Sequence, residues 1–600
     1  MVLEREPLPF DAWLAAGLPQ WLAVTGALAL VALILGFVIV AVRYGPGPAG
    51  DKIYRLIVGA AIDLVRMSPR RVFALARLAV QESVRRRVLA GLGVFIVILA
   101  FAIWFLDART PDPAKLYLSF VLTATTWLVL LMMVFLTAFS IPNDIKNHTI
   151  YTIVTKPVRA SEIVLGRILG FAAVGTALLA VMGLFSYVFV VRALNHTHDL
   201  SERDLTAVTS ASAAPGERAG RTGLARNHRH QVTLDADGRG ETEPAQGHWH
   251  EVTAEGSGDR MRLAVGPPQG QFHARVPIYG KLSFIDRGGQ PTDKGINVGN
   301  EWTYRSYIEG ATRHAARWNF RGVRREDFPD GLRLNMTISV FRTHKGNIEQ
   351  TVVGSYTLRN PRTGISSPGQ NFFAKEFAID DRSVPLTFEN PNDPTGKPID
   401  LFEDLIDDGN LEIELTCLQG GQYFGMAQPD LYLLPREGSF EMNFIKGYVG
   451  IWQQMLLVTA FGVMWSTFLN GAVAMLATLM TLIAGQFAPW VQELATGKVI
   501  GGNTFEAALR IVTQTSISTP LDENLTSSVV QGLDAVALWP LRIIAGLLPD
   551  FGQFDDTTYV ADGFDIPNFL IAEHSLAVLG FVIPLFVIGY LCLKTREVAK

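Results

Sequence analysis

The chain has little cysteine, with two residues in 600, Cys417 and Cys592. Cys417 lies in a polar middle region and Cys592 in the last apolar run, so pairing is not expected. No disulfide framework is implied, which leaves the redox compartment open. No G-x-x-x-x-G-K-[S/T] phosphate loop occurs. The nearest glycine-rich stretch, GPPQGQF at 266–272, has no lysine, so ATP hydrolysis by that chemistry is excluded. No Ser/His/Asp order or paired-carboxylate motif stands out, and no enzymatic activity is expected of this chain. A net charge of −4 gives no reason to expect a nucleic-acid partner. Charge is also nearly absent from the long apolar runs.

Those runs are what the chain has in abundance. Trp21–Val42 is uncharged and long enough to cross a bilayer as a helix. The leader before it carries Glu4, Glu6 and Asp11 against Arg5, the wrong sign for a signal peptide. A basic stretch follows, from Arg43 to Arg87, which places that side in the cytoplasm and the N-terminus outside. Further spans are expected at Val88–Leu106, Tyr117–Ala138, Leu165–Val191, two within Tyr448–Ala488 joined by a turn at 466–471, and Leu576–Leu593. Seven spans result, with the C-terminus inside. Val529–Leu548 is apolar but interrupted by Asp534, Pro540 and Arg542. It reads as a re-entrant or interfacial helix, because a full span would bury charge.

The fold class expected is therefore a polytopic α-helical membrane protein of about seven spans with an inserted β-rich, sandwich-like extracytoplasmic domain. The divisions run 1–50 (outer tail and first span), 51–87 (cytoplasmic amphipathic helices), 88–191 (three spans) and 192–446 (the outer domain). After these come 447–488 (two spans), 489–571 (an outer helical or re-entrant segment) and 572–600 (last span and basic tail). Within the outer domain, 192–265 is rich in Gly, Ala, Ser, Thr and charge and is expected to be loosely ordered. Residues 266–446 carry strand alternation. LRLNMTISVFRT (332–343) and IEQTVVGSYTLRN (348–360) flank Gly346-Asn347 and read as a hairpin. An antiparallel sandwich of jelly-roll type is expected.

Two constellations are candidates for function. Three His-x-His pairs fall at His196/His198, His228/His230 and His248/His250. On a strand, residues two apart share a face, so each pair could offer two imidazoles to a metal. The alternative is chance clustering in a poorly ordered polar segment, and no metal site is assigned from sequence alone. The second constellation is SIPNDIKNHTIYTIVTKPVRASEIVLGRILG at 140–170, a mixed-charge segment between two spans. Ile150, Ile153 and Val154 have helical spacing, Lys156-Pro157 stops the helix, and Ser161 is a plausible cap for the next.

This loop (140–164) resembles the first cytoplasmic loop of type-2 ABC transporter permeases. The order that carries the resemblance is Asp144, Thr149-Ile150, Lys156-Pro157, Arg159, Glu162 and Gly166-Arg167. The resemblance implies a coupling helix docked on a separate ATPase subunit, with Asp144, Lys146, Thr149, Ile150, Lys156, Pro157, Arg159 and Glu162 as coupling residues. It also implies an elbow helix ahead of the core spans, here with Arg71, Arg77, Glu82 and Arg85 on its polar face. The likeness covers about 69–191 and 447–600, and departs from the family in the first span and the outer insertion. The function it implies is the permease subunit of an ATP-driven exporter, working by alternating access on an amphiphilic or lipid-linked cargo. No cofactor is expected on this chain itself, since the partner hydrolyses ATP. Expected partners are that ATPase, a second permease subunit (identical or related) and membrane lipid, in the cytoplasmic (inner) membrane. The alternative reading is a membrane-anchored outer binding or structural protein.

Overall fold

The computed structural model describes residues 10–596 except 86–88, 107–109, 111, 150–157, 209–215, 256–261, 297, 299–304, 330, 344–350, 375–378, 390–395, 497–502 and 516–523. The chain divides into two compact units. One comprises Leu8–Phe272, Glu441–Asp562 and Ile566–Lys600; the other centres on His273–Phe440.

The first unit is mainly helical. Its helices are α1 (Phe10–Tyr44), α2 (Pro46–Val65), α3 (Pro69–Arg85), α4 (Leu89–Phe105), α5 (Pro113–Ala138), α6 (Ser140–Lys146) and α7 (Ala160–Leu194). After the insertion come α8 (Phe440–Ser466), α9 (Gly471–Gln486), α10 (Ala488–Thr496), α11 (Thr504–Thr513), α12 (Leu525–Ala537), α13 (Trp539–Leu547), α14 (Thr557–Asp562) and α15 (Asn568–Thr595). Among the described residues, five helical stretches are long and apolar enough to cross a membrane: α1, α5 with α6, α7, α8 and α15. Helices α9 and α10, bent by 60°, would together make a sixth. The bend falls just before Pro489, whose ring removes a backbone donor. Helix α4 is apolar but only 17 residues long. No residue of α1 is buried, and α4, α7, α9 and α15 also expose large apolar side chains. Such surface calls for lipid rather than water.

The turn between α8 and α9 falls at the expected position, with the Asn470 side chain accepting from Val473 N at 3.0 Å. The apolar stretch 529–548 forms two short helices, α12 and α13. Asp534 is not stranded there: its two carboxylate oxygens accept from the first amides of α11, Phe505 N and Glu506 N, at 3.0 Å each. Helix α15 starts eight residues before the span expected at Leu576. It therefore includes two buried polar residues, Glu573 and His574, the latter 3.4 Å from buried Asp556.

Helix α3 packs along α7. A side chain at Gly166 or Gly170 would stand 2.6 Å from Leu75 Cβ, or from Ala76 O and Ala79 Cβ. Two glycines one turn apart thus let the backbones close up, as small residues do between apolar helices. The buried face of α3 is Val72, Ala79 and Ser83, while Phe73 is exposed. Of the apolar residues at helical spacing on α3, Ala76 lies at the contact with Gly170, while Phe73 and Val84 are exposed.

The region expected to be loosely ordered is a six-stranded antiparallel meander, in order β1 (Leu205–Ala207), β2 (Arg218–Arg221), β3 (Gln231–Leu234), β4 (Gly240–Thr242), β5 (Trp249–Glu255) and β6 (Arg262–Gln269). Composition misled because the strands are short and bury few apolar residues: among the described residues Leu200, Val232, Leu234 and Val252 form the buried cluster. This meander groups with the helical unit, whose first stretch runs to Phe272.

The second unit is built of antiparallel sheets around one core that includes Trp318, Phe320, Leu334, Leu358, Phe372, Ile413 and Leu433. Its largest sheet runs 370–374, 352–359, 411–417, 315–320, 281–285, 291–292; a four-stranded sheet runs 379–384, 332–337, 431–437, 275–279. The expected hairpin does not form. Leu332–Thr337 pairs with 379–384 and 431–437, Ser339–Arg342 joins a third sheet, and Val352–Arg359 pairs with 370–374 and 411–417. Alternation fixes which face of a strand is buried, not which strand lies beside it. The proposed turn at Gly346-Asn347 lies outside the described residues.

Candidate metal centre

The six histidines of the three His-x-His pairs come together in one cage at the end of α7. Their ligand nitrogens all lie within 4.8 Å of one another, and only His196 is more than marginally exposed. Two local repeats build it. In each, a two-residue turn with both residues at positive φ (Arg226-Asn227 and Gln246-Gly247) closes a bridge, Ala225 to His228 and Ala245 to His248. Such turns favour Asn and Gly because left-handed backbone strains other side chains. The Thr222 and Thr242 hydroxyls then accept the His230 and His250 amides, at 2.9 Å in both cases. The first pair follows the last turn of α7 directly, with Asn195 in the place that Asn227 and Gly247 hold.

The hydrogen bonds decide the tautomers. Every Nδ1 faces a backbone carbonyl. His196, His228 and His248 meet the carbonyl two residues back (Leu194, Arg226, Gln246) at 2.8, 3.3 and 3.4 Å. His198, His230 and His250 meet carbonyls further along the chain (Gly223, Glu243, Gly266) at 2.9, 2.9 and 2.8 Å. A carbonyl only accepts, so each Nδ1 carries the proton and each Nε2 presents a bare lone pair. The Nε2 atoms of His196, His228 and His248 are 3.1–3.2 Å apart, and His198 Nε2 is 3.2 Å from that of His228. His230 Nε2 and His250 Nε2 are buried with no hydrogen-bond partner. Burial first, and neighbouring imidazoles among the later causes, push the pKa of His196 and His250 down to about 4 and that of His248 to about 3, so these three rings are neutral at physiological pH.

The arrangement has the symmetry of an octahedron. Each ring has four of the others at 4.8–5.2 Å between centroids. The one left over is His230 for His196, His248 for His198 and His250 for His228. With metal–nitrogen bonds of about 2.1 Å, octahedral donors stand about 3.0 Å from neighbours and about 4.2 Å from opposites. The cage is slightly wider than this. Six neutral nitrogens with no carboxylate suit a divalent first-row transition ion and not Mg²⁺ or Ca²⁺, which take oxygen. All six positions are filled by protein, the pattern of a structural or sensing centre rather than a catalytic one. One triangular face, His196, His228 and His248, borders a 20 Å³ cavity also lined by Tyr117 and Gln271, room for a single water.

Sequence reasoning found all six imidazoles but not their convergence. The signal was a repeat: Gly220, Thr222, His228, His230 and Val232 recur twenty residues on as Gly240, Thr242, His248, His250 and Val252. The two threonines were missed with it.

The coupling-loop residues divide. Ile150, Lys156 and Pro157 lie outside the described residues. Lys146 and Thr149 are exposed, the Thr149 hydroxyl donating to the Asp144 carboxylate at 3.0 Å. The others are engaged within the unit. Buried Glu162 accepts from Arg71 Nη2 at 2.6 Å, Ser68 N at 2.8 Å and Arg159 N at 3.0 Å. That last bond caps α7; the expected cap, Ser161, is buried with its hydroxyl unpartnered. Arg167 bridges Glu82 and Asp144, and Arg159 pairs with Asp63 at 3.3 Å. Arg77 and Arg85 are exposed.

No family model, no curated protein and no solved structure matches this chain.

Proposed function

We propose that this chain is a multi-pass membrane protein that binds one divalent transition-metal ion in the six-imidazole cage. The convergence of six buried Nε2 lone pairs, each fixed by an Nδ1–H bond to a carbonyl, carries the reading. Bare lone pairs 3.1–3.2 Å apart repel, and a central cation turns that repulsion into coordination. His196, His198, His228, His230, His248 and His250 would hold the ion. Their carbonyl partners orient the rings, and the absence of an open coordination position argues for a structural or sensing role. The test is metal content by mass spectrometry after purification through a histidine-free tag. One ion per chain is expected, and none in His230→Ala/His250→Ala. A metal-free wild type that takes up no added Ni²⁺, Co²⁺, Zn²⁺ or Fe²⁺ would overturn it.

The helical body supports a second reading, the permease subunit of an ATP-driven exporter. Counting α4 and the bent α9–α10 pair gives the seven spans, with the cage outside and α6 and its loop in the cytoplasm. The observation that favours it is the anchoring of that loop: Asp144, Arg159 and Glu162 are tied by ion pairs to α2, α3 and α7. A force on the loop would thus reach the spans directly, and Lys146 and Thr149 stand exposed on it. Cargo would be amphiphilic or lipid-linked. Copurification of an ATPase from native membranes, lost in a Lys146→Glu/Thr149→Arg variant, tests it; no ATPase with wild type would favour the anchored-domain alternative.

A further inference from the structure

We infer that metal occupancy of the cage is relayed along α7 to the ion-paired loop at its other end, so that the chain reads a divalent metal on one side of the membrane and alters the loop on the other. The inference rests on the metal-centre reading and concerns its regulation. Helix α7 is a single unbroken helix of 35 residues, about 50 Å long at 1.5 Å per residue. Its last turn belongs to the cage, because His196 Nδ1 holds the Leu194 carbonyl at 2.8 Å while His196 Nε2 is one of the six donors. Its first turns belong to the loop. Glu162 is clamped by Arg71, and Arg167 joins Glu82 of α3 to Asp144 of α6.

The cage has reason to exist in two forms. With an ion, six lone pairs point at one centre. Without one, the same lone pairs face each other at hydrogen-bond distance with no proton between them, and the cage must widen. His196 follows directly on α7 through Asn195, so widening displaces the helix end. The helix is closely fitted elsewhere. A Cβ at Gly166 or Gly170 would press on Leu75 Cβ, Ala79 Cβ and the backbone of α3. Displacement of a tightly packed rod is taken up as a shift along its length rather than locally. At the loop end it meets Arg167, which is 3 % exposed and shared between two carboxylates, so the ties there are remade rather than stretched.

The experiment uses the full chain in lipid nanodiscs, stripped with chelator and reloaded with Ni²⁺, and reads hydrogen–deuterium exchange at 140–149 and 158–170. Ni²⁺ is expected to change exchange there by about 5-fold or more, the lower end of common site-to-site couplings. Arg167→Gln is expected to bind Ni²⁺ equally well and lose the response. If Ni²⁺ binds one per chain and slows exchange in 218–255 while 140–149 and 158–170 are unchanged, the relay is wrong and the metal centre stands. If no metal binds, the metal reading itself fails. The stripped wild type is its own control, so no variant needs to fold for the test to decide.

Discussion

Removing one imidazole gives a quantitative test of the cage. Among the described residues, the buried apolar cluster of the β-meander is Leu200, Val232, Leu234 and Val252, a core too small to hold a region of this length firmly. Its local stability is therefore expected to depend on the ion. Ligand at 100 times its Kd stabilises by about 2.7 kcal/mol. Suppose His250→Ala, which deletes a donor that is 0 % exposed, weakens binding about 100-fold. The same free metal then contributes only about 0.4 kcal/mol. The two proteins should differ by about 50-fold in metal-dependent amide protection. The assay is hydrogen–deuterium exchange of peptides within 218–255 in matched Ni²⁺. Wild type should slow about 100-fold on loading and the variant about twofold. Equal slowing in both, or none in wild type, would refute the argument that these six nitrogens act on one ion.

Thr222→Val leaves the His230 amide unpaired in a buried site. Metal affinity should fall about 10- to 100-fold by isothermal titration, with Thr222→Ser restoring it. Gly170→Val places methyls where Ala76 O and Ala79 Cβ already stand at 2.6 Å from the Cβ. About 1–3 kcal/mol should be lost, seen as a lower melting temperature in detergent and faster proteolysis of α3. Arg71→Ala leaves the buried Glu162 carboxylate without its cation and should lower the midpoint of denaturant unfolding, with Arg71→Lys recovering part of the loss. Burial would raise the pKa of Asp63, but the hydrogen bonds from Lys594 and Tyr590, with the charge of Arg159, hold it below the ordinary value. Its stabilisation is therefore complete above the ordinary carboxylate pKa and lost as pH falls through the depressed one. Melting temperature against pH should show a loss of up to about 1 kcal/mol on acidification below about pH 4, absent in Asp63→Asn.

The sequence alone determined the local features. Uncharged runs of twenty or so residues become long helices with apolar surfaces, because backbone polar groups in hydrocarbon must pair within their own segment. Asn470-Gly471 places a turn, and Pro69 opens a helix, through fixed local geometry. The His-x-His pairs were visible because they lie two residues apart. What the tertiary structure decided was partnership across distance. Residues 332–343 alternate as a strand should, yet pair with 379–384 and 431–437, since alternation names a face and not a neighbour. The face of α3 that packs is set by Gly166 and Gly170 on another helix, so Phe73 points outward. Glu162 reads as a loop charge and Arg167 as the opening of the next span, but both are buried because Arg71, Glu82 and Asp144 neutralise them there. The segment that carries the cage looked disordered because composition counts apolar area. What organises it is a set of turns, threonine bonds and converging imidazoles that contribute little apolar area and act only once the three pairs meet.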